Sequence, residues 1–197
     1  MTGALLPLDV SSTAVVLVAH GSVDHVDDIA KFLSNIRRGR PTPPAIVEEV
    51  THRWQQIGGS PLNRIARAQA EALSQRLGLR CLVANRMWHP YPGEVVQQLA
   101  QAGVSTVVSV PLAPYSVSLY HQELAPHCAK VGVRCLQCGP WNTEPALVDA
   151  FVEVIREALA RLPTESLATT SVLLTAHSLP TRVIAAGDRY EIDVRAT

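Results

Sequence analysis

The stretch Ala14-Val-Val-Leu-Val-Ala19 is a continuous apolar run rich in β-branched residues, and it indicates the fold class of the chain. Such a run is typical of a strand that is buried on both faces of a sheet. Similar runs recur along the sequence, at residues 80–84, 105–111, 132–138 and 171–176. We therefore predict a series of strands of this kind along the chain.

Segments with helical periodicity lie between the predicted strands. The clearest begins near Ser60, a candidate N-cap, has Pro61 as its first helical residue and stops at Gly78. A second one covers about residues 144–162, and Pro41-Thr-Pro-Pro44 predicts a break in the helical region that follows the first strand. Alternating strands and helices predict an α/β fold with a mainly parallel sheet flanked by helices.

One motif occurs twice. Val15-Val-Leu-Val-Ala-His-Gly-Ser22 is echoed by Val172-Leu-Leu-Thr-Ala-His-Ser-Leu179, each an apolar run followed by Ala-His and a small polar residue. We interpret the echo as the openings of two similar domains, residues 1–140 and 141–197, although so short a match can arise by chance. We expect the second domain to be only begun, because the residues up to Thr197 are too few to close another sheet and bury another core.

Charge and hydropathy exclude several classes of protein. Seventeen Lys and Arg balance seventeen Asp and Glu, so nothing indicates a nucleic-acid partner or an acidic membrane surface. Residues 1–14 lack the basic start and long apolar core of a signal peptide, and no window approaches the ~18 apolar residues of a membrane span. We expect a cytoplasmic protein. Peripheral membrane contact through a loop and the oligomeric state are left open.

The four cysteines do not predict a disulfide framework, because nothing in the sequence indicates secretion. Cys135-Leu-Gln-Cys138 has the spacing of half a metal or redox motif. No second pair of this spacing completes a set of four ligands, so we favour structural thiols over a metal site.

Histidines mark the ends of two predicted strands. Ligands of open α/β sheets bind at the carboxyl ends of the strands. We therefore expect His20 and His177 on one rim, together with residues 85–89 and 111–115. A histidine at such a rim can bind a metal or take up a proton near neutral pH, whereas the alternative is a local hydrogen-bonding role.

Four further segments would suit a flat apolar ligand that carries carboxylates, although three arginines at residues 37–40 are equally typical of a solvated helix end. Arg37-Arg-Gly-Arg40 can grip carboxylates with guanidinium groups, and Gly58-Gly-Ser-Pro-Leu62 leads into a helix start that favours an anion. Neither matches a nucleotide phosphate-binding motif. Arg86-Met-Trp-His-Pro90 and Pro111-Leu-Ala-Pro-Tyr-Ser116 supply aromatic and apolar walls, although Met and Trp also serve ordinary core packing.

Read in order, these segments resemble the ferrochelatase family from about Val15 to the last residue. The most specific part is Thr175-Ala-His-Ser-Leu-Pro180 followed by Gly187-Asp-Arg-Tyr190. The resemblance implies two Rossmann-like chelatase domains with a porphyrin held in the cleft between them. It also implies a lyase of haem biosynthesis that inserts Fe2+ into protoporphyrin IX or coproporphyrin III and needs no organic cofactor, the iron being a substrate.

The same resemblance implies roles for individual residues. His177 is the expected catalytic residue, as acceptor of the pyrrole protons or as metal ligand, and His20 is a second candidate ligand on the metal side. The expected porphyrin contacts are Arg37, Arg38, Ser60, Arg86, Tyr115 and Ser116. The family's second domain carries further acidic active-site residues, and this chain ends before them. Asp188 and Glu191 are too close to His177 in sequence to be assumed replacements, so activity of this chain alone is not implied.

Three other functions compete with this interpretation. The nearest is a chelatase that inserts cobalt or iron into sirohydrochlorin. A truncated, non-catalytic porphyrin-binding module is the second, and a Rossmann-like nucleotide enzyme, which would need the absent glycine fingerprint, is the third.

Overall fold

The computed structural model describes residues 9–197. The first eight residues lie outside this range, and the prediction about an N-terminal leader falls largely on them. The strands are β1 (Thr13–Ala19), β2 (Arg80–Asn85), β3 (Thr106–Pro111) and β4 (Arg134–Gln137). The helices are α1 (Ile29–Ile36), α2 (Pro44–Gln56), α3 (Leu62–Leu77), α4 (Pro92–Gln101), α5 (Val117–Lys130), α6 (Pro145–Leu159), α7 (Thr164–Leu167), α8 (Thr181–Ala185) and α9 (Tyr190–Ala196), with short 3-10 turns at Val10–Ser12 and Val26–Asp28.

The four strands form one parallel sheet in the order β2-β1-β3-β4. In the register of the sheet, Val16 of β1 lies between Leu82 of β2 and Ser109 of β3. Every residue of β1 is buried, as expected of a central strand that is covered on both faces. The predicted α/β class and parallel sheet are confirmed.

Helices cover both faces of the sheet because alternate strand residues point to opposite sides. On one face, Val16 and Val18 pack with apolar residues of α4 and α5, including Leu99 and Leu124. On the other face, Val15 and Leu17 pack with small residues of α3. A third cluster joins α1 and α2 to the segment after β2 through Ile29, Phe32, Trp88 and Trp54.

Helix boundaries follow the local signals in the sequence. Gly78 ends α3 in the left-handed conformation at φ +65°, which glycine adopts without a steric penalty. The helix starts at Leu62, one residue later than predicted, with Pro61 as the cap. The predicted break is confirmed, since α1 ends at Ile36 and α2 starts at Pro44.

The chain divides into two compact units. The first unit contains the sheet and consists of the described residues up to Leu112 together with Leu119–Cys138. The second consists of Ala113–Ser118 and Gly139–Thr197. The predicted helix at residues 144–162 corresponds to α6, which has no buried residue. The division into domains at residue 140 stays a prediction.

The prediction of a strand at residues 171–176 is wrong. These residues have no regular secondary structure, and Leu173 and Leu174 are 85% and 80% exposed. A strand requires a neighbour to pair its backbone N–H and C=O groups, and the described residues 139–197 contain no other strand. The apolar composition that indicated a strand is present, but the partner is not among these residues.

Among residues 9–197, no helix is both long enough and apolar enough to span a bilayer.

Candidate functional site

The carboxyl ends of β1 and β2 lie side by side. The backbone N–H of Arg86 donates to the carbonyl of Ala19, and that of Met87 donates to the carbonyl of His20, both at 3.0 Å. This pairing continues the β1–β2 register past the strand ends. It brings His20 next to the Arg86–Met87 segment.

Gly21 makes the turn after His20. It has φ +84°, and a Cβ at this position would lie 2.6 Å from the Cβ of Asn85. Asn85 is itself held in place, because its side-chain amide donates to the carbonyl of His89 at 2.8 Å. Only glycine therefore fits the close approach of this turn to β2.

Asn63 holds the same turn, and the sequence interpretation missed it. This side chain is 2% exposed. Its Oδ1 accepts from the backbone N–H of Ser22 at 3.1 Å, and its Nδ2 donates to the carbonyl of Ser22 at 2.6 Å. A buried asparagine that pairs both backbone groups of a distant residue fixes the loop against α3. Its position just after the Gly-Gly-Ser-Pro-Leu segment was the only signal in the sequence.

His20 itself points to solvent. The imidazole is exposed, its Nδ1 lies 3.1 Å from the carbonyl oxygen of Gly21, and its ring meets the edge of Phe32 with centroids 6.3 Å apart. This backbone contact leaves Nε2 as the ring nitrogen available to a ligand.

The predicted carboxylate contacts Arg37 and Arg38 follow α1 directly. Both are exposed, and within residues 9–197 neither takes part in an ion pair. Ser60 is partly buried, and its Oγ accepts from the backbone N–H of Leu62 at 3.3 Å. Ser60 therefore helps to cap the start of α3.

Arg86 is already engaged within the protein. Its side chain is only 17% exposed, pairs with Glu123 Oε1 at 3.2 Å and lies over the ring of Tyr120 at 4.9 Å. Its Nε is buried without a hydrogen-bond partner among the described residues. Arg86 lines a cavity of about 660 Å3 together with Glu94, His127 and other residues of α4 and α5.

Trp88 belongs to the core. It is 8% exposed and packs edge to face against the Phe32 ring. The Nζ of Lys31 lies 5.5 Å from the centroid of the Trp88 ring. The interpretation of Trp88 as ordinary packing is therefore the one that the contacts support.

Tyr115 and Ser116 meet the Gly187-Asp-Arg-Tyr190 motif in the second unit. Ser116 Oγ donates to Asp188 Oδ1 at 2.8 Å, and the same oxygen accepts from the backbone N–H of Tyr190 at 2.9 Å. The rings of Tyr115 and Tyr190 pack edge to face with centroids 5.8 Å apart. Two blocks that lie far apart in the sequence thus form one local arrangement.

His177 lines a cavity of about 750 Å3 in the same unit, with Tyr190, Glu191 and Arg195 among the other lining residues. The imidazole is exposed and has no hydrogen bond or ion pair with the described part of the chain. Glu191 is engaged by Arg195 at 3.0 Å. The prediction that His177 follows a strand is wrong, since residues 171–180 form no strand.

The predicted site residues therefore fall into two groups. His20, Arg37, Arg38, Ser60 and Arg86 belong to the unit with the sheet, and Tyr115, Ser116 and His177 belong to the other. Within residues 9–197, no three His, Cys, Asp or Glu side chains are arranged to hold a metal ion. The roles of these residues stay predictions.

Comparison with known proteins identifies relatives over nearly the whole chain. The ferrochelatase family model matches residues 12–197. A ferrochelatase of Acidobacterium capsulatum is 36% identical over 180 residues, which is 88% of this chain and 54% of that protein. A ferrochelatase of Herpetosiphon aurantiacus is 30% identical, with 91% and 63% covered. A coproporphyrin III ferrochelatase of a Geobacillus species is 29% identical, with 89% and 61% covered.

The chain thus spans between about half and two thirds of the length of the curated relatives it matches. A crystal structure of a CbiX protein of cobalamin biosynthesis from Marinobacter aquaeolei aligns with a TM-score of 0.46 and 18% identity, over 76% of this chain and 99% of that one. That likeness is too low to carry an argument. The family match covers most of the chain and agrees with the order of the motifs, so the chain belongs to the ferrochelatase family.

Proposed function

We propose that this chain takes part in the insertion of Fe2+ into a porphyrin, either protoporphyrin IX or coproporphyrin III, in haem biosynthesis. The observation that carries the proposal is the family match over residues 12–197. Relatives that carry the name coproporphyrin III ferrochelatase support the second substrate. The cytoplasmic location stays a prediction.

His177 is the proposed proton acceptor or metal ligand. When Fe2+ replaces the two pyrrole N–H protons, both protons must leave the ring. An exposed imidazole beside a cavity can accept a proton and pass it to water. The neutral ring also has the lone pair that a ferrous ion requires.

Arg37 and Arg38 are the proposed partners of the porphyrin propionates, with Ser60 as a further contact. Their guanidinium groups are exposed and have no ion pair within the described residues, so both remain available to a carboxylate. Binding energy from the propionates would serve the reaction by bending the macrocycle, which turns the nitrogen lone pairs toward the metal. Arg86, Tyr115 and Ser116 are the other proposed contacts.

The direct test is anaerobic insertion of Fe2+ or Zn2+ into each porphyrin by the purified chain, followed by the shift of the Soret band. We expect His177→Ala to abolish insertion and to leave porphyrin binding in place. The matched control is His52→Ala, which removes an exposed histidine of α2. Equal insertion by His177→Ala and the wild type would reject the proposed role of His177.

The alternatives give different results in the same assay. A porphyrin that binds but stays free of metal, in the wild type as in the variant, indicates that this chain by itself binds porphyrin without inserting metal, as an incomplete ferrochelatase or a porphyrin-binding module would. Insertion of Co2+ into sirohydrochlorin, with no reaction of either porphyrin, indicates the other chelatase.

We also propose that residues 141–197 form the first part of a second chelatase domain. The exposed apolar residues 171–176 and the α6 helix, which has no buried residue, support this idea because both have the pattern of elements that pack in a core. Fusion of the carboxyl-terminal part of the Acidobacterium capsulatum relative to this chain tests it. We expect the fusion to protect residues 171–176 from hydrogen exchange, and unchanged exchange there would reject the domain proposal.

A further inference from the structure

Cys128 and Cys135 form a thiol pair that the function proposed above does not use. Cys128 lies on α5 and is completely buried in the core between α5 and the sheet. Cys135 lies on β4 and packs against the same cluster. The turn between them is tight, since the backbone N–H of Val133 donates to the carbonyl of Cys128 at 2.9 Å. The two side chains thus meet in one apolar cluster, and the interaction between their thiols shifts the pKa of both.

The structure changes the interpretation of the Cys135-Leu-Gln-Cys138 motif. Side chains alternate between the faces of a strand, so two residues that lie three apart point to opposite faces. The backbone N–H of Cys138 donates to the carbonyl of Ser109 at 3.1 Å, which keeps Cys138 in the ladder with β3. Cys135 therefore faces α5 and Cys138 faces away from it. The partner of Cys135 is Cys128, which the spacing of the motif did not indicate.

The environments of the thiols differ. The hydrogen bond with Cys128 lowers the pKa of Cys135, because the thiol of Cys128 donates to the Cys135 thiolate. The same hydrogen bond, together with burial, raises the pKa of Cys128. Burial also raises the pKa of Cys138. Cys135 is partly exposed as well, so of the two paired thiols it is the one that a small oxidant can reach as a thiolate.

We propose that Cys128 and Cys135 are a reversible oxidation site, which a peroxide converts to a disulfide between α5 and β4. Cys135 first loses its thiol proton to water. Its thiolate attacks one oxygen of the peroxide, the O–O bond breaks, and Cys135 becomes a sulfenic acid while the released hydroxide takes up a proton. The sulfur of Cys128 then attacks the sulfur of Cys135, the S–O bond breaks, and the hydroxyl group leaves as water with the proton of Cys128. Two thiols are oxidised to one disulfide, and hydrogen peroxide is reduced to two waters.

The disulfide would act on α5, which carries the Glu123 partner of Arg86 and the buried His121. His121 joins β3 to the segment after β4, since its ring nitrogens lie 2.8 Å from Ser109 Oγ and 2.8 Å from the carbonyl oxygen of Cys138. A covalent link at Cys128 would hold this helix to the edge strand.

The test is titration of the full chain with hydrogen peroxide, alkylation of the remaining thiols and mapping of tryptic peptides. Trypsin cleaves after Lys130 and Arg134, so it separates Cys128 from Cys135 but leaves Cys138 in the same peptide as Cys135. We expect the loss of two alkylatable thiols and a cross-link between the peptide ending at Lys130 and the peptide starting at Cys135. Dithiothreitol should restore both thiols.

Two variants identify the partner of Cys128. Cys138→Ser should form the cross-link as the wild type does, and Cys135→Ser should lose it. A cross-link within the Cys135–Cys138 peptide, a cross-link that survives in Cys135→Ser, a disulfide between two chains, or oxidation of Cys135 without any disulfide would each overturn the proposal. Both variants leave buried Cys128 intact, and the circular dichroism of each, compared with that of the wild type, shows whether that variant folds.

Discussion

At the scale of single residues, close contacts fix the turn that follows β1 at the rim of the sheet. The turn after His20 approaches Asn85 closely, which only Gly21 permits. Asn63 holds the same turn by binding both backbone groups of Ser22. None of these three neighbours carries the proposed chemistry. They set where the histidine and the next loop lie, and a change in any of them alters the rim without touching the imidazole.

Gly21→Ala should destabilise the protein by about 3 kcal/mol, because the new Cβ meets Asn85 and the backbone is strained at positive φ. Gly39→Ala is the matched control. Gly39 also has positive φ, +79°, but a Cβ there has no atom within 4 Å, so we expect a loss of only about 1 kcal/mol. Urea denaturation measures both values. Equal losses of stability in the two variants would show that the contact with Asn85 does not add to the destabilisation.

Arg37→Ala and Arg38→Ala should each weaken porphyrin binding by roughly fivefold, or about 1 kcal/mol, as expected for an exposed charge pair. The loss should shrink as salt is added, because exposed charges are screened. Fluorescence titration of the porphyrin at low and high salt measures it. Arg76→Ala, an exposed arginine at the end of α3, is the control and should bind as the wild type does. Wild-type affinity in both test variants would remove these residues from the proposed site.

At the scale of elements, α4 has a charged first turn. Glu94 Oε2 accepts from the backbone N–H of Tyr91 at 2.7 Å, and Glu94 also contacts His89 Nδ1 at 2.9 Å. The carboxylate thus satisfies one of the free N–H groups at the helix start, and its negative charge interacts favourably with the helix dipole. The hydrogen bond from Tyr91, followed by the contact with His89, lowers the pKa of Glu94 from 4.5.

Glu94→Gln should cost about 0.5 kcal/mol at pH 7, since the side chain is half exposed and water screens its charge. A carboxyl group whose pKa is lower in the folded state stabilises the fold above its unfolded pKa, and this stability is lost as the pH falls through the folded pKa. The difference between wild type and variant should therefore shrink as the pH falls below 4.5 and vanish only once the pH is below the pKa of Glu94 in the folded state. Urea denaturation across this range measures it, with Glu48→Gln, an exposed glutamate of α2, as the control. A difference that persists in acid would contradict the sign of this argument.

The elements of the second unit are less buried than the strands of the first. The strands of the sheet have neighbours and helices on both faces, whereas α6 leaves Phe151 and Val154 at 47% and 64% exposure. Residues 171–176 also lack a partner among the described residues 139–197. Apolar composition produces a strand only where another strand completes its hydrogen bonds.

At the scale of the whole molecule, the two units should differ in local stability. The amides of β1 donate within a buried sheet, whereas no amide of residues 171–179 donates a backbone hydrogen bond to a described residue. Hydrogen exchange measured by mass spectrometry should be at least roughly a thousandfold slower in β1 than in residues 171–179, because core strands exchange only through extensive unfolding. Equal protection of the two segments would show that residues 171–179 are paired in solution.

Much of the first unit followed from the sequence because its signals are local. Buried strands appear as β-branched apolar runs, and the ends of α1, α2 and α3 are marked by proline and glycine. These signals arise from backbone sterics and from burial, which act within a few residues. The order of the motifs also led to the correct family, since each block keeps its spacing along the chain.

The tertiary structure decided what depends on distant partners. The sequence by itself determined an α/β chain of the ferrochelatase family with histidines after two apolar runs. Only the structure showed that Asn63 holds the turn after His20 and that residues 171–176 form no strand. It also showed that Arg86 is paired with Glu123. The partner of Cys135 is Cys128 rather than Cys138. The three contacts form between residues that folding brings together, and the lack of a strand reflects the lack of a pairing partner among the described residues 139–197. The spacing of residues along the chain carries no information about either.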